Sequence, residues 1–189
     1  MFRSEENYHF FLRKIREHLL PIGDVLCYCL MPDHFHLLFR LCEEGCKPSI
    51  SAGMRTASDD SGHTVYMQEF SHQLRIMLSS YTKAFNRRYN RRGSLFRAKT
   101  KAKLAYLDFQ MAEPTTFGYE GKELLPYAPY LRNCFHYIHR NPVTAHLALS
   151  PEEWPFSSAA DYKGLRAGTL CNYELTERLL GIKRLRPPG

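Results

Sequence analysis

The chain has 189 residues, 44% hydrophobic and 24% charged, with a formal net charge of +7. That length suits one domain with a sizeable core, and the composition excludes disordered, collagen-like and disulfide-scaffold classes. The first twenty residues scatter Arg, Lys, Glu and His through their apolar pattern; this excludes a secretory core or membrane span there and predicts a cytoplasmic protein whose six cysteines are thiols.

In chain order, Arg3 to Leu20 predicts a helix, with Tyr8, Phe11, Leu12, Ile15 and Leu19 at helical spacing and Ser4 as N-cap before Glu5 and Glu6. Pro21 and Gly23 end it. Val25 to Met31 and His34 to Leu41 are short apolar runs split by Pro32-Asp33, which predicts an antiparallel hairpin with a tight turn. Residues 42 to 64 are rich in Gly, Ser and Asp without periodicity and predict a long mobile loop. Phe70, Leu74, Met77, Leu78, Tyr81, Phe85 and Tyr89 mark a second helix ending at Gly93. After an irregular link over 105 to 128, "PYLRNCFHYIHRNP" predicts a third helix from about Tyr130, stopped at Asn141 by Pro142. Trp154 to Tyr162 and Asn172 to Leu180 predict two further short helices before a polar, basic tail. The whole is a single domain over 1–189, its core about 2–162 and its C-terminal helical extension and tail 163–189.

The positive charge is unevenly spread. No acidic residue lies between Glu69 and Asp108, whereas Arg75, Lys83, Arg87, Arg88, Arg91, Arg92, Arg97, Lys99, Lys101 and Lys103 all do. Such asymmetry fits a polyanion binder, nucleic acid ahead of anionic membrane, against the alternative of a solvated basic face. In "SLFRAKTKAKL" the cations at 97, 99, 101 and 103 alternate with small or apolar residues. A strand there would repeat charge every ~6.5–7 Å, close to the phosphate spacing of an extended single strand. An edge strand charged against aggregation is the alternative.

"MPDHFHLLF", residues 31 to 39, sets two histidines one residue apart in an apolar run. In a strand His34 and His36 share a face, so their ring nitrogens converge as metal ligands would; a hydrogen-bonded surface pair is the alternative. Zinc with cysteine is disfavoured, because Cys27-x-Cys29 alternates within a strand and Cys42-x3-Cys46 has no partner pair. The other source of ligands is the helix before Pro142, where Tyr137 and Asn141 lie four apart on one flank. A phenol can act as a covalent nucleophile, and an amide oxygen can complete a hard-cation site with two histidines and water.

"CLMPDHFHLLFR", the Arg-rich helix running into "GSLFRAKTK", and "YIHRNPVTAHLA" followed by "WPFSSAADY" resemble, in order and spacing, the single-tyrosine HUH transposases of the IS200-like superfamily, closest to the REP-associated tyrosine transposases. The resemblance runs from about Phe2 to Tyr162. It implies an α+β fold with a ferredoxin-like antiparallel sheet and helices on one face. It implies a metal-dependent single-stranded DNA endonuclease and strand transferase, active on single-stranded or hairpin DNA and working as a homodimer. By the resemblance His34 and His36 bind Mg2+ or Mn2+ with Asn141 as third ligand, and Tyr137 attacks a phosphodiester to leave a 5′-phosphotyrosine. The basic residues Lys83, Arg87, Arg88, Arg91, Arg92, Arg97, Lys99, Lys101 and Lys103 would hold DNA. Relatives begin with a strand before the first helix, which this sequence lacks, so either the start is a truncation or another strand or partner fills that place. The alternative function is a catalytically decayed relative that binds nucleic acid.

Overall fold

The computed structural model describes residues 1–49, 57–58, 64–65, 68–96 and 128–186. Its elements are α1 (Glu5–His18), β1 (Gly23–Leu30), β2 (Phe35–Leu41), α2 (Glu43–Cys46), β3 (Ala57–Ser58), β4 (Thr64–Val65), α3 (Glu69–Arg88), α4 (Ala128–Thr144), α5 (Ala159–Tyr162) and α6 (Tyr173–Leu180), with 3-10 turns at Leu20–Ile22 and Pro151–Glu153. The fold is α+β, with β1 and β2 forming a two-stranded antiparallel sheet. The described residues divide into two compact units. One holds Met1–Asp24 and those of Arg40–Ala98, the other Val25–Phe39 and those of Lys99–Gly189.

In the first unit α1 and α3 bury the apolar stripes that their spacing predicts: Tyr8, Phe11 and Ile15 from one, Met77, Tyr81 and Phe85 from the other. Tyr81 is the hub. Phe11 meets it edge-on at 5.0 Å, Phe2 and Phe96 lie at 5.7 and 6.0 Å, and Phe2 also stacks on Tyr8 at 4.5 Å. Aromatic pairs at these separations add about 0.5–1.5 kcal/mol each to the area they bury. Ser4 sits at the N-cap as expected, but its hydroxyl caps no helix amide and lies 3.4 Å from the Tyr89 hydroxyl. The buried Asn7 does the fastening instead: its side-chain oxygen accepts from the Arg3 amide at 3.0 Å and the Tyr89 hydroxyl at 2.9 Å. The stretch 42–64 is not wholly irregular. It holds α2, whose Gly45 packs so closely on Ile22 that a Cβ would stand 2.6 Å from that carbonyl oxygen, and a small ladder pairing Ala57 with Val65 and Ser58 with Thr64. The basic strand expected over 97–103 lies outside the described residues.

In the second unit β1 is buried from Val25 onward. The hairpin turns at Pro32-Asp33, where the Met31 amide donates to the His34 carbonyl at 2.8 Å. Residues near the C-terminus add to β1: Ser157 bridges Cys29 antiparallel and Cys171 bridges Val25 in parallel. The Leu30 amide donates to Phe156 O at 2.9 Å and the Ser158 amide to Tyr28 O at 3.0 Å. The helix expected from Trp154 is therefore confined to α5. Pro155 holds Trp154 extended at ψ 110°, and the Trp154 indole donates to Leu30 O at 2.9 Å, so the segment satisfies its polar groups on the strand.

Pro142 also departs from expectation. It lies inside α4, which continues to Thr144. Its ring is buried, and the turn beyond it closes with the Leu147 amide donating to Pro142 O at 2.8 Å. Proline in the last turn loses one backbone donor, and burial of the ring outweighs that cost.

The core of this unit is threaded with polar groups. Tyr162 donates its hydroxyl to Leu26 O and lies 2.9 Å from the Thr176 hydroxyl. Asp161, 1% exposed, pairs with Arg166 at 2.5 Å, and Arg166 reaches the Pro155 and Ser157 carbonyls as well. Gly168 makes room for that carboxylate, since a Cβ there would stand 2.2 Å from Asp161 Oδ2. Helix α6 is capped as its sequence suggests, Asn172 accepting from the Leu175 amide at 3.0 Å and Gly181 taking φ 68° at the C-terminus. All six cysteines are free thiols.

Candidate metal and tyrosine site

His34 immediately precedes β2 and His36 lies within it. The two Nε2 atoms stand 3.1 Å apart, with ring centroids at 4.8 Å and planes nearly perpendicular. Same-side placement of residues two apart along an extended chain produces this convergence. Asp33, the second residue of the turn, places Oδ1 2.7 Å from His34 Nδ1. That contact holds the Asp33 carboxyl below its usual range. His36 is half-buried, and desolvation followed by the neighbouring His34 lowers its pKa, while a hydrogen bond with Asn141 works the other way. A neutral imidazole is the form that can ligate a cation.

Helix α4 supplies the other two groups. The Tyr137 ring meets His36 edge-on at 5.5 Å, and the residue is 62% exposed. The Asn141 Nδ2 donates to the Tyr137 carbonyl one turn back at 2.7 Å. A carbonyl only accepts, so this bond fixes which way the amide is turned and leaves Oδ1 for His36 or a cation. The four residues thus come together in one unit. Two imidazole nitrogens 3.1 Å apart match adjacent corners of an octahedral hard-cation site, whose ligands at about 2.1 Å stand about 3 Å from one another. Among the described residues no group of three or more His, Cys, Asp or Glu side chains is placed to hold a metal, and Asn141 is the further oxygen donor they offer beside the two histidines.

The cations belong to the other unit. Lys83, Arg87 and Arg88 are exposed on α3, and Arg91 and Arg92 in the turn after it. Arg88 is paired with Glu6, and Arg91 is tied to Asn86 and the Ser94 carbonyl. Lys83, Arg87 and Arg92 carry no ion pair among the described residues. Arg97, Lys99, Lys101 and Lys103 lie outside those residues. Sequence reasoning gave Asp33 a turn role only; the signal for more was its place next to the first histidine of "DHFH". It also passed over His139, on the buried side of α4, whose Nε2 lies 2.8 Å from Ser158 Oγ and whose pKa burial pushes down to about 3.

Comparison of the chain with protein-family models, curated proteins and solved structures finds no match. No helix among the described residues is long and apolar enough to cross a membrane.

Proposed function

We propose that the protein is a metal-dependent nuclease and strand transferase of single-stranded or hairpin DNA, with Tyr137 as nucleophile and His34, His36 and Asn141 as the ligands of Mg2+ or Mn2+. One observation carries this reading: an exposed tyrosine packs against a histidine pair whose Nε2 atoms converge at 3.1 Å. A surface histidine pair needs no phenol beside it, whereas a phosphodiester-cleaving site needs a nucleophile next to a place for a cation. The bound cation would neutralise charge on the scissile phosphate. Tyr137 Oη would form a bond to phosphorus as the bond to the 3′ oxygen breaks, the phenol proton passing through solvent to the departing 3′-OH. One phosphodiester is exchanged for another, so the linkage stores the energy needed to rejoin a second strand. The exposed Lys83, Arg87 and Arg92 suit backbone phosphates, with Arg88 and Arg91 beside them. The ferredoxin-like topology expected from the resemblance belongs to this proposal.

The test is incubation with hairpin-bearing single-stranded DNA and Mn2+. The wild type is expected to give a covalent adduct that survives denaturing electrophoresis and maps to the peptide containing Tyr137. Tyr137→Phe is expected to bind DNA and give none. Full cleavage by that variant, or DNA retardation by the wild type without new ends, would overturn the assignment.

A further inference from the structure

We propose that Asp33 is a positioning residue that sets the proton pattern of the histidine pair, so that His34 presents a bare Nε2 to a divalent cation; this rests on the metal-dependent reading above. Asp33 Oδ1 stands 2.7 Å from His34 Nδ1, and a carboxylate can only accept. The proton of a neutral His34 is therefore on Nδ1, and its Nε2 carries a lone pair. The second Nε2, 3.1 Å away on His36, must then be the donor in the bond between the rings. The Asp33 contact fixes a neutral His34 as Nδ1–H, and the contact between the rings then calls for Nε2–H on His36, whose other partner is the Asn141 side chain.

The backbone makes this selection dependable. The Pro32-Asp33 turn is closed by the Met31 amide on the His34 carbonyl at 2.8 Å, which fixes the Asp33 backbone beside the ring it holds. The Asp33 side chain is 83% exposed and buries nothing else, so its part in the fold is small. A carboxylate behind a ligating imidazole also makes that ring a better base and stops it turning. For both Nε2 lone pairs to face one cation, His36 has to move its proton from Nε2 to Nδ1 through solvent, while His34 moves none. Without Asp33 both rings would have to be sorted, and His34 would be free to turn its protonated nitrogen outward.

The experiment uses the 15N-labelled protein without metal at neutral pH, read by long-range proton–nitrogen spectra of the imidazoles, followed by separate titrations with Mg2+ for the spectra and with Mn2+ for affinity. The wild type is expected to show His34 as Nδ1–H and His36 as Nε2–H, with His36 changing tautomer in a diamagnetic Mg2+ titration. Asp33→Ala is expected to lose the His34 preference and weaken Mn2+ binding by roughly 10- to 100-fold. Asp33→Asn, whose amide oxygen still accepts from Nδ1–H, is expected to restore the tautomer and most of the affinity. His34 protonated on Nε2 in the wild type, unchanged Mn2+ affinity in Asp33→Ala, or no Mn2+ binding by the wild type would overturn the proposal. The expected tautomers and Asp33-dependent affinity without any DNA adduct would instead sink the nuclease reading alone.

Discussion

The two units hold themselves together by different means. The first is an aromatic cluster around Tyr81, with Asn7 and His72 as the buried polar residues among those described. The second buries His139, Ser157, Ser158, Asp161 and Thr176, each bonded to a named partner. Apolar packing tolerates small shifts, whereas a buried polar group must meet its partner or lose the desolvation energy outright. The candidate site stands on the unit with directional bonds. A site that must hold two nitrogens about 3 Å apart is better served by a support whose parts can sit in one arrangement only.

The largest effect should come from Arg166→Ala, which strands the buried Asp161 carboxylate. Loss of one partner of such a pair costs about 3 kcal/mol, the low end of the usual range because the Arg166 side chain is 38% exposed. Urea unfolding would read it, and a loss below about 1 kcal/mol would remove the contrast between the units.

Acid should come next. His139 is neutral in the fold down to about pH 3, whereas in the unfolded chain it takes a proton near 6.5. The stability it contributes is complete above about pH 6.5 and falls as pH drops, by up to about 1.4 kcal/mol per unit. Between pH 6.5 and 5 that amounts to about 1.6 kcal/mol, and His139→Gln should flatten the fall by one proton's worth. An unchanged slope in that variant would place the acid sensitivity elsewhere.

A smaller and sharper comparison removes one hydroxyl from each unit. Tyr162→Phe removes the hydroxyl that bonds the buried Leu26 carbonyl and Thr176 hydroxyl and should cost about 1.5 kcal/mol. Tyr81→Phe gives up a 3.4 Å hydrogen bond to the Met1 carbonyl and should cost no more than about 0.5 kcal/mol. Equal costs would break the distinction.

The smallest change in stability is expected from replacing Lys83, Arg87 and Arg92 with Ala. Single-stranded DNA binding should nevertheless weaken, with the slope of log affinity against log salt falling by about 0.7 for each phosphate deprived of its cation. An unaltered slope would mean that this face of α3 does not touch the backbone.

Helices α1, α3 and α4 were legible because their buried residues recur at the helical period, and the hairpin because two apolar runs flank a Pro-Asp turn. Trp154–Ser158 was not. Its apolar and small residues suit a helix end as well as a strand, and only the free edge of β1 decides between them. Pro142 reads as a stop in one dimension, and the pocket that buries its ring is visible only in three. At the site, the convergence of His34 and His36 followed from strand alternation, and the pairing of Tyr137 with Asn141 from the helical repeat. That Tyr137 would meet His36 depended on tertiary packing of α4, which periodicity does not encode. Asp33 was hidden by its ordinary role as a turn residue, since Pro-Asp is common in turns that hold no ligand.

The completion of β1 has a consequence for how the chain is made. The Tyr28 amide finds its partner, Ser158 Oγ, 130 residues later. At the usual pace of synthesis, about 5–20 residues per second, the apolar strand waits roughly 10 s for its second neighbour. The first unit closes sooner, its Asn7–Tyr89 bond spanning 82 residues. Nascent chains released before Phe156 would display a hydrophobic strand with an uncovered edge, a template for pairing with other chains. Synthesis cut short there should yield aggregates, or chaperone clients, in place of a smaller folded protein.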